Sequence, residues 1–103
     1  MEHKSIFHIP RWEELPDLEL YLEQVVILLE EYLEPFYTDK KEKIITKTMI
    51  HNYVKFRVMK APIHKKYNKS HIAYLITICL LKRIYSIHDI KTLIRLALRC
   101  CTH

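Results

Sequence analysis

The chain has 103 residues, of which 50% are hydrophobic and none is glycine, and its formal net charge is +5. A chain of this length predicts a single domain, 1–103. The absence of glycine excludes the glycine-rich phosphate loops and dinucleotide-binding turns of many nucleotide enzymes. Abundant Leu, Glu and Lys favour an all-α fold.

The charge is divided unevenly along the chain. Residues 1–40 contain three Lys or Arg against ten Asp or Glu, which gives −7. Residues 41–103 contain fourteen Lys or Arg against two acids, which gives +12. A basic face on a helical domain favours a polyanionic partner. Solvated lysines that bind nothing would produce the same composition.

The cysteines and the apolar stretches restrict the class of protein further. Cys79 lies in an apolar run and is predicted to be a core thiol, whereas Cys100, Cys101 and His103 match no standard zinc spacing. An odd number of cysteines and an N-terminus without an apolar signal core predict a cytoplasmic protein. The longest apolar stretch, 72–81, is shorter than the roughly 20 residues that span a bilayer. We therefore expect no metal, no cofactor and no membrane contact.

The first predicted elements are an irregular arm and an acidic helix. Prolines on both sides of Trp12 restrict the backbone of the arm, residues 1–16. Asp17 is the predicted cap of a helix over 17–34, which Pro35 ends. Its predicted apolar face consists of Leu18, Tyr21, Leu22, Val25, Leu28, Leu29 and Tyr32.

A shorter helix over 46–58 and a basic turn over 59–67 follow. Thr46 is the predicted cap, and Ile50, Tyr53 and Val54 point inward. The outward positions share one helical face and are Lys47, Thr48, His51, Asn52 and Lys55. Pro62 cannot continue the helix, so the turn predicts a minimal wing.

Two core helices over 69–99 complete the chain. Asn68 is the predicted cap of the first, which is apolar nearly all round and should be central. Ser86 begins a near capping box for the last helix. The predicted inner face of that helix consists of Ile90, Leu93, Ile94, Ala97 and Leu98.

The chain contains, in this order, Thr46-Lys47-Thr48-Met49-Ile50-His51-Asn52-Tyr53, a basic proline-containing turn, Tyr67, a helix and Ser86-Ile87-x-x-Ile90. This order resembles the DNA-binding head of the MerR family. This resemblance implies a MerR-like winged helix-turn-helix with four main helices and a minimal basic wing. The long acidic helix and the polar loop 36–43 depart from that pattern. So does the lack of a long dimerising helix at the end.

About nine-tenths of the chain resembles more closely an uncharacterised bacterial family, domain of unknown function eighteen thirty-six. The resemblance lies in Pro10-Arg11-Trp12-Glu13-Glu14-Leu15-Pro16, Ile45-Thr46-Lys47-Thr48-Met49-Ile50, Asn52-Tyr53-Val54-Lys55 and His71-Ile72-Ala73-Tyr74-Leu75. It implies the same MerR-like fold and no established activity.

The candidate site is a DNA-binding face. Base readout is assigned to Lys47, Thr48, His51 and Asn52, whose side chains suit base edges. For His51 the alternative of an ordinary exposed histidine is the stronger one. Backbone contact is assigned to Lys55, Arg57, Lys60, Lys65, Lys66, Tyr67 and Lys69. Tyr67 has a second open role, which is to close the wing by packing.

These residues predict a sequence-specific regulator that binds double-stranded DNA, and a homodimer is expected by analogy only. The alternative is a helical protein-protein interaction module that binds through helix 17–34 or the last helix. RNA is a weaker third option, since no stacking platform is visible. Scattered histidines and the lack of a nucleophile motif predict no enzyme activity, and no small-molecule substrate site is evident.

Overall fold

The computed structural model describes residues 8–37, 43–82 and 87–101. Within these residues it contains four α-helices and no strand, which confirms the all-α prediction. The helices are α1 (Leu22–Leu33), α2 (Lys47–Lys55), α3 (Lys69–Leu81) and α4 (Ile87–Cys101). Two 3₁₀ turns, Trp12–Glu14 and Glu34–Phe36, flank α1. The predictions for residues 1–7, for residues 38–42 and for the Ser86 cap lie outside the described residues.

Helix α3 lies at the centre of the core, as its apolar circumference predicts. Ile72, Leu75, Ile78 and Cys79 are fully buried. Helix α1 packs on α3 through a buried face that includes Val25, Leu29 and Leu33. A helix without a polar face is stable in water only when other elements surround it. The central position of α3 therefore follows from its sequence.

Helix α1 begins later than the sequence predicts. The predicted helix over 17–34 starts at Leu22, and Asp17 is not its cap. Leu20 instead pairs with Tyr67 in an antiparallel bridge, with N–H to carbonyl distances of 2.9 and 2.8 Å. This pairing holds the backbone extended just before α1, and the Tyr21 N–H donates to Gln24 Oε1. Leu18, assigned to the apolar face, is consequently 68% exposed.

Helix α2 begins as predicted and ends early. Thr46 Oγ1 accepts a hydrogen bond from the Met49 N–H at 3.1 Å, which confirms the cap. The helix ends at Lys55 rather than near Val58, because Arg57 adopts a left-handed conformation with φ of 60°. The Val58 N–H donates back to the Tyr53 carbonyl at 2.8 Å. This is a Schellman motif with Arg57 at the position usually taken by glycine.

A buried histidine joins the start of α3 to the segment after α2. Asn68 caps α3 as predicted, and its own N–H donates to His71 Nδ1 at 3.0 Å. His71 Nε2 lies 2.9 Å from the Ala61 carbonyl. A carbonyl only accepts, so Nε2 is the donor in this contact. The ring also packs edge-on against Tyr67, with centroids 5.4 Å apart.

The segment between α1 and α2 is fastened to the end of α3. The Tyr37 hydroxyl donates to the Cys79 carbonyl at 2.8 Å. Lys82 Nζ donates to the Ile44 carbonyl at 2.9 Å. Cys79 is a core thiol as predicted, and burial raises its pKa to about 11. These contacts position the start of α2 against the core.

Helix α4 buries less of its apolar side than its sequence predicts. Ile90 is fully buried and Ile94 is half-buried. Leu93, Ala97 and Leu98, also assigned to the inner face, are exposed. The expected face was wrong because α4 meets the rest of the fold along a narrow strip. None of the described helices is both long and apolar enough to cross a membrane.

We predict that His71→Ala lowers the free energy of unfolding by about 2–4 kcal/mol, because it leaves the Ala61 carbonyl and the Asn68 N–H without their partner and opens a cavity. Urea unfolding followed by circular dichroism measures the change. His51→Ala is the control, since His51 is exposed on α2, and it should change stability by less than about 0.5 kcal/mol. Equal effects of the two substitutions would contradict the role of His71.

Candidate nucleic-acid interface

The outer face of α2 is polar and open to solvent. All five of its predicted outward residues are exposed, namely Lys47, Thr48, His51, Asn52 and Lys55. On the opposite side Ile50 and Tyr53 are buried, and Val54 is half-buried. The Thr46 cap and the buried pair fix the rotation of the helix about its axis. The four predicted base-reading side chains therefore share one accessible surface.

One of these side chains has an acidic partner. Lys47 Nζ lies 3.2 Å from the Glu23 carboxylate of α1. A hydrogen bond from its own backbone N–H, followed by the contact with Lys47, lowers the pKa of Glu23. Both side chains are largely exposed, so the pair contributes little to stability. It does place a negative charge beside the predicted readout residues.

The basic turn after α2 is a two-residue hairpin. Ile63 and Lys66 exchange two backbone hydrogen bonds, at 3.0 and 2.9 Å. His64 and Lys65 between them have φ of 53° and 66°, as a type I′ turn requires. Lys65 is exposed at its tip. The basic turn is thus a single bridge with its two-residue loop, and the pairing of Leu20 with Tyr67 joins it to the segment just before α1.

The predicted backbone-contacting residues divide into two groups. Lys55, Arg57, Lys60 and Lys65 are exposed. Lys66 is half-buried with its ammonium 5.6 Å from the Tyr21 ring centroid. Lys69 lies over Trp12 at 4.8 Å and is 3.7 Å from Asp17, so it anchors the N-terminal arm. The exposed group is better placed for phosphate contact.

Tyr67 belongs to the core. It is 3% exposed, pairs with Leu20 and contacts His71. Burial raises the pKa of its hydroxyl. Of the two roles open in the sequence, packing accounts for this position, and we remove Tyr67 from the phosphate contacts.

The family model described as Domain of unknown function (DUF1836) matches residues 10–102. The chain belongs to the DUF1836 family. This confirms the closer of the two resemblances seen in the sequence. No curated protein and no solved structure matches the chain. The family description names no activity, so the function of this DUF1836 chain has to be argued from its surface.

The basic surface of the DUF1836 chain extends onto α4, which sequence reasoning missed. A cavity of about 450 Å³ at the end of α2 is lined by Lys55, Phe56, Arg57, Val58, His88 and Lys91. A neighbouring cavity of about 440 Å³ adds Lys60 and Arg95. No acidic side chain lines either cavity among the described residues. The only sequence signal was the i, i+4 spacing of Lys91 and Arg95, which places both on one helix face.

Among the residues that the structure describes, three hold left-handed backbone conformations that favour glycine. They are Arg57, His64 and Lys65, all exposed and all on the basic surface. Such a conformation costs a residue with a Cβ about 1–2 kcal/mol. Strained positions persist where the surrounding structure dictates them, and they cluster at functional sites.

Lys65→Gly should raise the free energy of unfolding by about 0.5–1 kcal/mol, since the relieved strain exceeds the entropy that glycine adds to the unfolded chain. Urea unfolding checks this expectation. Lys60→Gly is the matched control, because Lys60 is exposed on the same surface with negative φ, and it should be neutral or destabilising. If Lys65→Gly were no more stable than Lys60→Gly, the turn would not be strained.

Proposed function

We propose that this protein is a sequence-specific DNA-binding regulator that inserts α2 into the major groove and rests its basic turn on the backbone. The observation that carries the proposal is the exposed polar face of α2 beside the exposed cations of the turn. An α-helix fits the major groove, and flanking cations neutralise phosphates. Double-stranded DNA has a major groove flanked by the phosphates of both backbones, which matches a polar helix flanked by cations.

The outer face of α2 offers the chemistry that base reading needs. Asn52 can donate to and accept from adenine, and Lys47 can donate to guanine, each contributing about 1–3 kcal/mol of discrimination. Thr48 suits a thymine methyl or a phosphate. His51 adds a ring that can donate or accept. Affinity without sequence preference would come from Lys55, Arg57, Lys60 and Lys65, with Lys91 and Arg95 extending the contact.

A MerR-like winged helix-turn-helix is the architecture that we propose for this contact. The order of α2, a basic turn and α3 supports it, as does the bridge that joins the turn to the segment just before α1. The connection 34–46 between α1 and α2 is longer than the usual short turn of that motif. Such a regulator would act in the cytoplasm, and a homodimer would read two half-sites.

Fluorescence anisotropy with random duplex DNA at low and moderate salt tests the proposal. About five or six neutralised phosphates would give a log–log salt slope near −5. A folded sample that binds no DNA at low salt would overturn the proposal.

Lys65→Glu and Asn52→Ala should affect binding differently. Lys65→Glu should weaken binding about ten-fold for every sequence and reduce the salt slope by about one. Lys43→Glu carries the same charge change at an exposed position outside the site and should weaken it less. Asn52→Ala should relax base preference in a selected-site assay. An unchanged preference would remove Asn52 from the readout.

Glu23→Gln should tighten DNA binding about three-fold at low salt, because it frees Lys47 and removes a negative charge beside the groove. Titrations at two salt concentrations measure the change. Glu30→Gln is the control on the same helix, since Glu30 is also exposed. Equal increases in DNA affinity for both variants would show a general effect of net charge, and Lys47 would then have no specific role in base readout.

The second candidate is a protein-interaction module without nucleic-acid binding. The exposed apolar side chains at the start of the chain favour it, since Leu18 and Ile27 are 68% and 66% exposed. A variant with Leu18→Ser and Ile27→Ser, which removes the apolar side chains without changing the charge, should bind DNA as the natural chain does if the first proposal holds. Under the alternative, the chain binds no DNA and the variant loses a partner protein.

A further inference from the structure

A cleft lies between the start of α1, the side of α2 and the basic turn. Its volume is about 520 Å³, within the range of small-molecule sites. Its apolar walls come from Leu22, Val54, Pro62 and Tyr67, and Tyr21 lies at its edge. Two hydrogen-bonded frames fix these walls, since Leu20 pairs with Tyr67 and Ile63 pairs with Lys66. The cleft is therefore preformed.

Three basic side chains line the same cleft. His51 and Lys55 come from α2, and Lys65 comes from the tip of the turn. The acid in the lining is Glu23, whose carboxylate is paired with Lys47. No carboxylate of the described residues forms an ion pair with Lys55 or Lys65. The cleft thus combines an apolar interior with cations that have no acidic partner in this part of the chain.

We propose that this cleft binds a small amphipathic organic anion, with a flat apolar body and one carboxylate, sulfonate or phosphate group. The apolar body would lie against Val54 and Pro62, where it displaces water from apolar surface. The anionic group would accept charge-assisted hydrogen bonds from Lys55 or Lys65. A neutral hydrophobic ligand would form no ion pair with these lysines. Inorganic phosphate would not displace water from the apolar walls.

A ligand bound in the cleft would compete with DNA. His51, Lys55 and Lys65 are assigned both to the cleft and to the proposed DNA contact. A bound anion would neutralise them and exclude DNA from α2. This exclusion rests on the proposed function, whereas binding of the anion does not.

Anilinonaphthalene sulfonate is the probe, because it is an aromatic body with one sulfonate. Methyl NMR spectra of the full chain should show shifts at Leu22 and Val54 on titration. Competing apolar side chains outside the cleft include Leu18 and Ile27 as well as Leu93 and Leu96 of α4. Shifts confined to residues outside the cleft, or no shifts, would overturn the proposal.

The charge requirement is tested with Lys55→Gln and Lys65→Gln. Each should weaken binding of the probe about three- to ten-fold while circular dichroism stays unchanged. Lys43→Gln is the matched control, since Lys43 is exposed and outside the cleft lining. Equal weakening by all three variants would show non-specific attraction and overturn the site.

Duplex DNA then separates the two proposals. If both hold, DNA releases the probe and the methyl shifts at Val54 reverse. DNA that binds without releasing the probe would overturn exclusion and leave the site intact. If the chain binds the probe and no DNA, only the proposed function fails.

Discussion

The fold around the candidate interface depends on one buried imidazole. His71 accepts from the backbone of Asn68 and donates to the carbonyl of Ala61. It thereby joins the first turn of α3 to the segment that leads into the basic turn. Its ring also contacts Tyr67, which pairs with Leu20 just before α1. This side chain and the bridge between Leu20 and Tyr67 together position the turn beside α2.

Backbone hydrogen bonds explain how a chain without glycine holds left-handed conformations at three of its described residues. Arg57 closes α2 by a Schellman motif, and His64 with Lys65 closes the hairpin. Backbone hydrogen bonds on both sides fix each conformation, so the cost is met by the surrounding structure. As a result, each of these left-handed positions on the basic surface carries an Arg, Lys or His side chain where other proteins often have glycine. Backbone strain and basic side chains therefore occur together at the exposed turns.

Short-range signals in the sequence identified some local features correctly, although the Asp17 cap and the end of α2 were wrong. The apolar circumference of α3 and the caps Thr46 and Asn68 are short-range patterns, and the structure has them. The start of α1, the role of Tyr67 and the buried His71 depend on partners far along the chain. Periodicity assigned Leu18 to a helix face because it cannot register a competing bridge at Leu20. The cleft was missed for the same reason, since α1, α2 and the turn each supply only part of its wall.

The bridge between Leu20 and Tyr67 also has a consequence for how the chain folds. It joins residues on either side of α2, so the chain must close a long loop before these two hydrogen bonds can form. The hairpin turn is too short to be stable by itself in water. The basic turn should therefore become ordered only when α1 and α3 have packed. Amide exchange at Leu20 and Tyr67 would then report on global unfolding rather than on local opening of the surface.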